Sequence, residues 1–241
     1  MIDAGKMKVE IWSDVMCPFC YIGKRKFESA LSQFPNAGNI EIEWKSFQLS
    51  PDMKTEPGKT IHQFLSEHKG IDPVQAKKMN EQVAGMAKQS GLTYNFDIAI
   101  PANSMKAHRF SHLAKQHGVQ NEAEEALFKA YFTEGKNIDD IATLCEIGSG
   151  LGMDSHEIKN VLEGGQYTDD VHEDIYEAQQ IGVRGVPFFV FDRKYAISGA
   201  QENQVFENTL NTAFTEWKAA HPTSGLDTIE GATCKPDGIC D

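Results

Sequence analysis

Five cysteines fall unevenly along the 241 residues: Cys17 and Cys20 three apart, Cys145 alone, and Cys234 with Cys240 near the C-terminus. This is too sparse for a secreted disulfide framework, and a close pair in a reducing compartment points to redox chemistry or metal. The thiolate is the nucleophile of thiol chemistry, yet a free thiol is mostly protonated near neutrality. A helix N-terminus shifts that balance, because its unpaired amides and dipole favour an anion on the first sulfur. Pro18 has a preset φ and no amide to lose, so it suits a first helical turn. Cys17 is therefore expected as the exposed nucleophile, and Cys20, one turn on, as the more buried thiol that resolves a mixed disulfide. The competing uses are a zinc half-site and a pair of core thiols. Zinc needs two more ligands, and no second Cys-x-x-Cys or matching histidine pair follows, so no metal is expected.

Other reactive side chains invite plainer uses. His108, His112 and His117 share helical or near-helical spacing, but Arg109 stands where the metalloprotease pattern needs Glu. They read as a solvated or structurally bonded helix face, except that His108, near Asn103, is a candidate for lining a cleft. Cys145 lies among Ile141, Leu144 and Gly148 and reads as a core thiol. Glu122, Glu124 and Glu125 read as a solvated helix surface. Of Glu41 and Glu43, one facing inward would be a buried acid able to relay protons, and the pattern does not choose between them. In the tail, Pro236-Asp237-Gly238 is a turn signal that would bring Cys234 and Cys240 together. So short a loop adds little stability, which leaves two idle thiols or an auxiliary redox pair exchanging with Cys17.

The elements that must position the pair follow from periodicity. Residues 7–12 alternate and are rich in β-formers, residues from Tyr21 to Pro35 repeat at helical spacing, and residues 40–49 read as a second strand. Cys17 and Cys20 thus sit where a strand enters the helix of a βαβ unit. Pro51, Pro57 and Gly58 mark a boundary, after which only helical signals appear. Asp72-Pro73-Val74-Gln75 and Asp154-Ser155-His156-Glu157 carry helix-start patterns, and residues 105–114 and 122–132 read as helices. Val186 to Phe191 is an apolar strand, Asp192-Arg193-Lys194 a turn, and Tyr195 to Ser198 a returning strand. Asn203 to Ala220 is helical, with Val205, Phe206, Leu210, Phe214 and Trp217 on one face. The expectation is an α/β domain formed discontinuously by residues 1–57 and 166–221, an inserted all-helical domain at 58–165, and a polar tail at 222–241.

Composition narrows the partners. With 35 acidic against 23 basic residues, the net charge of −12 disfavours general binding to nucleic acid or anionic membrane. Residues 1–6 show no charged-then-apolar leader and no apolar run reaches about 20 residues. A cytoplasmic location is expected.

Asp14-x-x-Cys17-Pro18-Phe19-Cys20-Tyr21-Ile22-Gly23 resembles the active site of the DsbA-type thioredoxin-fold oxidoreductases, in particular their cytoplasmic FrnE-like branch. Gly182-Val183-Arg184-Gly185-Val186-Pro187 is similar to the cis-proline loop of thioredoxins. Ala107-His108-Arg109, Leu127 to Phe132 and Ser198-Gly199-Ala200-Gln201 extend the resemblance over about residues 7–220. Phe19 departs from the Trp that many of the branch carry. The resemblance implies a thioredoxin fold with a helical insertion and a dithiol–disulfide oxidoreductase with Cys17 and Cys20 catalytic. It also implies a cis bond before Pro187, with Pro18, Phe19, Val186, Pro187, His108 and Asn103 at the substrate site. Val186 would pair through its backbone with an extended substrate. Partners would be protein or peptide thiols and disulfides, with glutathione or a thioredoxin-type protein as reductant, and no cofactor. Whether the pair oxidises, reduces or isomerises depends on its potential. The related kappa-class glutathione transferases and 2-hydroxychromene-2-carboxylate isomerases offer a second enzymatic use, in which Cys20 would have no task. A holdase chaperone acting through the helical insert is a third, from another class.

Overall fold

The structure is a computed structural model and describes residues 5–222. Strand β1 (Met7–Ser13), helix α1 (Pro18–Ser32) and strand β2 (Ile40–Ser46) open the chain as a βαβ unit, with the strands paired in parallel from Met7–Ile40 to Ser13–Ser46. Strands β3 (Phe188–Phe191) and β4 (Tyr195–Ser198) form an antiparallel hairpin, giving the sheet order β2-β1-β3-β4. Asp192 and Arg193 have φ of 49° and 53° at the hairpin turn, the left-handed geometry that lets a tight turn follow the strands' twist.

Between β2 and β3 the described chain is helical: α2 (Ile61–Lys69), α3 (Pro73–Gln89), α4 (Met105–Gln116), α5 (Gln120–Phe132), α6 (Ile141–Gly150), α7 (Ser155–Gly164) and α8 (Thr168–Gln180). Helix α9 (Asn203–Ala220) follows β4. Asp72 and Asp154 cap α3 and α7 by accepting hydrogen bonds from first-turn amides, as their patterns predict. Arg109 closes the other end of α7: its guanidinium donates to the carbonyls of Val161 (2.5 Å), Leu162 (3.1 Å) and Gln166 (2.6 Å). Those are carbonyls a helix C-terminus leaves without partners.

Strand alternation sorts the core. Met7, Val9 and Ile11 of β1, with Phe189 and Phe191 of β3, face α1 and α9, where Phe27 and Phe206 complete an aromatic cluster. Trp12 and Val190 face the other way, onto Ala178 of α8 and Val183. The Trp12 indole donates to the Asp174 carbonyl at 2.9 Å, which ties α8 to the sheet. Edge strand β2 is covered by a side chain: the Gln120 amide accepts from Trp44 N (3.1 Å) and donates to Trp44 O (3.0 Å), taking the place of a neighbouring strand.

Three sequence expectations change. Cys145 is half-buried rather than in the core, with its thiol against Ser155 O at 3.5 Å, because α6 turns Leu144 and Gly148 inward instead. Glu124 is buried, not solvated, since α5 packs on both α4 and β2 and only Glu122 of the three acids faces outward. Val205 is 39% exposed, and Ala213 takes its place on the buried face of α9.

Candidate functional site

The site begins at the C-terminal end of β1. Asp14, fully buried, shapes the turn that follows: its Oδ1 accepts from Met16 N (3.2 Å), its Oδ2 from Leu49 N (2.8 Å), and its carbonyl from Cys17 N (2.9 Å). Cys17 is the N-cap of α1 with an extended backbone, and Pro18 is the first helical residue. The capping position carries no side-chain hydrogen bond, so the sulfur takes the place where a helix favours a negative group. Phe19 is 38% exposed beside it.

Both sulfurs are reduced and neighbour each other. Cys20 is wholly buried. Burial pushes its thiol well above the usual range, and the Cys17 sulfur adds to this, while the Ser13 hydroxyl and the Asp14 amide beside it act in the opposite sense. Cys17 is not the exposed thiol expected from sequence: it is only 4% exposed, because the loop before β3 lies over it. There the Val186–Pro187 bond is cis, and the Cys17 thiol donates to Val186 O at 3.4 Å. Pro187 is buried, Val186 half-buried, and Pro187 O accepts from Gly199 N at 2.8 Å. Gly23 makes this approach possible, since a Cβ there would lie 2.9 Å from Pro187 Cγ. The loop and α1 are thus fitted together around the first sulfur.

The helical insertion contributes residues that sequence reasoning missed. Tyr94 donates to Pro18 O at 2.7 Å and stacks on Tyr21 and Phe132, linking the insertion to the Cys-Pro-Phe-Cys turn. Tyr21 in turn donates to Glu125 at 2.6 Å, where Lys24 and Arg25 also converge. An aromatic residue in a loop 76 positions downstream gives no local signal of such a role. His108, 3% exposed, lies beneath the pair rather than on a surface, its Nε2 3.6 Å from Asp14 Oδ1. Burial opposes a charge on its ring, but the carboxylate outweighs this and the ring's pKa is raised. Asn103 is occupied structurally: it donates to the carbonyls of Pro51 and Met53 and accepts from Met105 N at the start of α4. His112 is bonded to Asp174 (3.0 Å) and Ser46, whereas His117 meets Glu157 at the surface.

The choice between Glu41 and Glu43 is also resolved: Glu43 is buried and Glu41 exposed. Burial alone would raise the Glu43 carboxyl, but hydrogen bonds from Lys115 and Lys8, with the charge of Lys45, bring it down to about 2. An acid held so firmly as an anion is a poor proton carrier near neutrality. Cys234 and Cys240 lie outside the described residues. Among the described residues no group of three His, Cys, Asp or Glu could hold a metal ion, and no helix is long and apolar enough to cross a membrane.

The model of the DSBA-like thioredoxin domain matches residues 8–211. The chain belongs to that family. A probable DsbA oxidoreductase from Streptomyces coelicolor, known from a crystal structure, is similar at 34% identity, with 98% of each chain covered and a TM-score of 0.81. The uncharacterized protein YwbO of Bacillus subtilis is 28% identical over 207 residues, 84% of this chain and 95% of that protein. The cytosolic disulfide reductase DsbM of Pseudomonas aeruginosa, in its structure with GSH, shares the fold at 15% identity, a TM-score of 0.61 and coverage of 86% of this chain and 99% of that one. The α/β sheet with its helical insertion is therefore a DsbA-like thioredoxin fold. In this fold Cys17, Cys20 and the Val186–Pro187 loop form a single cluster, joined by Tyr94 from the insertion. A dithiol so placed can attack a disulfide with one sulfur and release it with the other.

Proposed function

We propose that this chain is a dithiol–disulfide oxidoreductase acting on protein or peptide thiols through Cys17-Pro18-Phe19-Cys20. The observation that carries the proposal is the asymmetry of the pair: Cys17 caps the helix against the Val186 carbonyl, while Cys20 is sealed behind it. In the reducing direction the Cys17 thiolate attacks one sulfur of a substrate disulfide and the other leaves as thiolate. Cys20 then attacks the Cys17 sulfur, frees the second substrate thiolate and closes Cys17–Cys20. An external dithiol or two equivalents of glutathione restores the reduced pair. The neighbour solved with GSH supports glutathione as one such reductant, and a thioredoxin-type protein is the other.

Substrate is held by Pro18, Phe19, Val186 and Pro187. The Val186 carbonyl that accepts from Cys17 in the reduced state becomes free to pair with an extended chain once that thiol is consumed. His108 and Asn103 act from behind this surface instead of on it, as the burial of His108 and the bonds of Asn103 favour. The cytosolic DsbM neighbour supports a cytoplasmic location.

Reduction of insulin by dithiothreitol, followed by turbidity, tests the proposal. Wild type should accelerate it, Cys17→Ser should abolish the acceleration, and Cys20→Ser should accumulate mixed disulfides. A glutathione transferase or isomerase of the kappa type would keep its activity in Cys20→Ser, because a resolving thiol has no task there. A holdase would still suppress aggregation with both cysteines replaced by Ser.

A further inference from the structure

Among the described residues, four buried side-chain polar atoms have no hydrogen-bond partner: Ser13 Oγ, His108 Nε2, Glu124 Oε2 and Tyr131 Oη. They are not scattered. Ser13 faces the Cys20 sulfur, His108 lies 3.6 Å from Asp14, Glu124 interacts electrostatically with His108, and Tyr131 with Asp14. All belong to the floor beneath the cysteine pair, where the end of β1 meets α4 and α5. Leaving buried polar atoms unpaired is costly, so a cluster of them in one place calls for a use.

Cys20 creates a need that matches. When it attacks the mixed disulfide at Cys17 it must shed a proton, from a fully buried thiol whose pKa burial raises. We propose that His108 takes this proton, with Asp14 steadying the imidazolium that results. The inference rests on the oxidoreductase reading and adds the residue that handles its proton. In the resolving step the Cys20 sulfur bonds to the Cys17 sulfur, and the bond between Cys17 and substrate breaks. The substrate sulfur leaves as thiolate with two electrons, and the Cys20 proton ends on His108 Nε2. In the opposite direction His108 returns the proton to Cys20 as substrate is oxidised.

The groups around the ring allow this. Asp14, held by the amides of Met16 and Leu49, is the acid close to Nε2. From α5, Glu124 accepts from Ser111 Oγ at 2.6 Å, and burial raises its pKa, so it tends toward the neutral acid rather than a second anion. Asp174 of α8 acts from further off and is already bonded to His112 and Lys45. Lys24 of α1 is engaged by Glu28 and Glu125. The ring sits 3.6 Å from a carboxylate that stabilises its protonated form, so it can hold the proton it receives.

Stopped-flow reaction of the reduced protein with 5,5′-dithiobis(2-nitrobenzoate) separates the steps, because Cys17 releases the first thionitrobenzoate and Cys20 the second. The second release in wild type should level off with rising pH as His108 becomes neutral. In His108→Gln it should be slower by about a hundredfold near neutrality and keep rising by about tenfold per pH unit. A purely structural His108 would slow both releases alike and leave the second with the wild-type pH profile, which would overturn the inference. Should the variant not fold, the ring of His108 in wild type can be titrated by NMR. Titration within about pH 6–8 supports the assignment, and a single protonation state from about pH 5 to 9 overturns it. Failure of wild type to release either thionitrobenzoate would count against the oxidoreductase reading itself.

Discussion

On the face of the sheet covered by α8, buried acids are surrounded by basic side chains: Glu43 by Lys8, Lys45 and Lys115, Asp174 by Lys45 and His112, and Glu10 by Arg193. Beneath the cysteine pair, Glu124 and His108 are buried just as deeply but keep polar atoms without partners. The contrast separates two uses of buried charge. Glu43 and Asp174 are held below the usual carboxylate range by their partners, and the cluster serves to join α8 and α4 to β2. Where pairing is incomplete, protonation states lie closer in energy, and the region adjoins the one reaction that must move a proton. Function is thus to be sought where the hydrogen bonding is unfinished.

The largest effect should come from breaking the paired cluster. Asp174→Ala leaves Lys45, His112 and the Ser46 amide without their acceptor, and should cost about 3 kcal/mol in urea unfolding. Glutamine at position 124 is the matching test on the other side. Glu124→Gln keeps the bond from Ser111 and removes a buried acid, so stability at neutral pH should change by no more than about 1 kcal/mol.

Glu43 and Glu124 should also respond to pH with opposite sign. Glu43 has its pKa lowered from 4.5 to about 2, so its contribution is present above pH 4.5 and is lost as pH falls toward 2. Glu124 is raised from the same reference value, so its contribution is present below pH 4.5 and is lost as pH rises through its folded-state value. Wild type should therefore lose stability steeply below pH 4.5. Glu124→Gln should gain on wild type as pH rises, measured as urea midpoints at acid, neutral and mildly alkaline pH. A gain at acid pH instead would invert the comparison.

A modest effect belongs to the contact between the insertion and the site. Tyr94→Phe removes one hydrogen bond to Pro18 O and keeps the stacking, for a loss of about 1 kcal/mol in thermal or urea unfolding.

Much of this was legible in the residues. The strands of the βαβ unit, the Asp192–Arg193 turn, the caps at Asp72 and Asp154 and the cysteine pair at a helix start all depend on local chemistry that spacing records. What escaped depends on contacts between distant segments. Glu124 looks solvated in a run of acids until α5 packs against α4 and β2, and Tyr94 reads as any loop aromatic until it meets Pro18. Cys17 looks exposed until the loop bearing Val186 covers it. Periodicity gives the face of a helix, but which neighbour receives that face is a tertiary fact.

The most direct test concerns the division of labour between the two sulfurs. Cys17→Ser and Cys20→Ser proteins, each incubated with a peptide carrying one intramolecular disulfide, can be weighed intact by mass spectrometry without reduction. The account predicts one peptide linked to Cys17 in Cys20→Ser and none in Cys17→Ser. An adduct on Cys20 in Cys17→Ser, forming as fast as the one on Cys17, would contradict it.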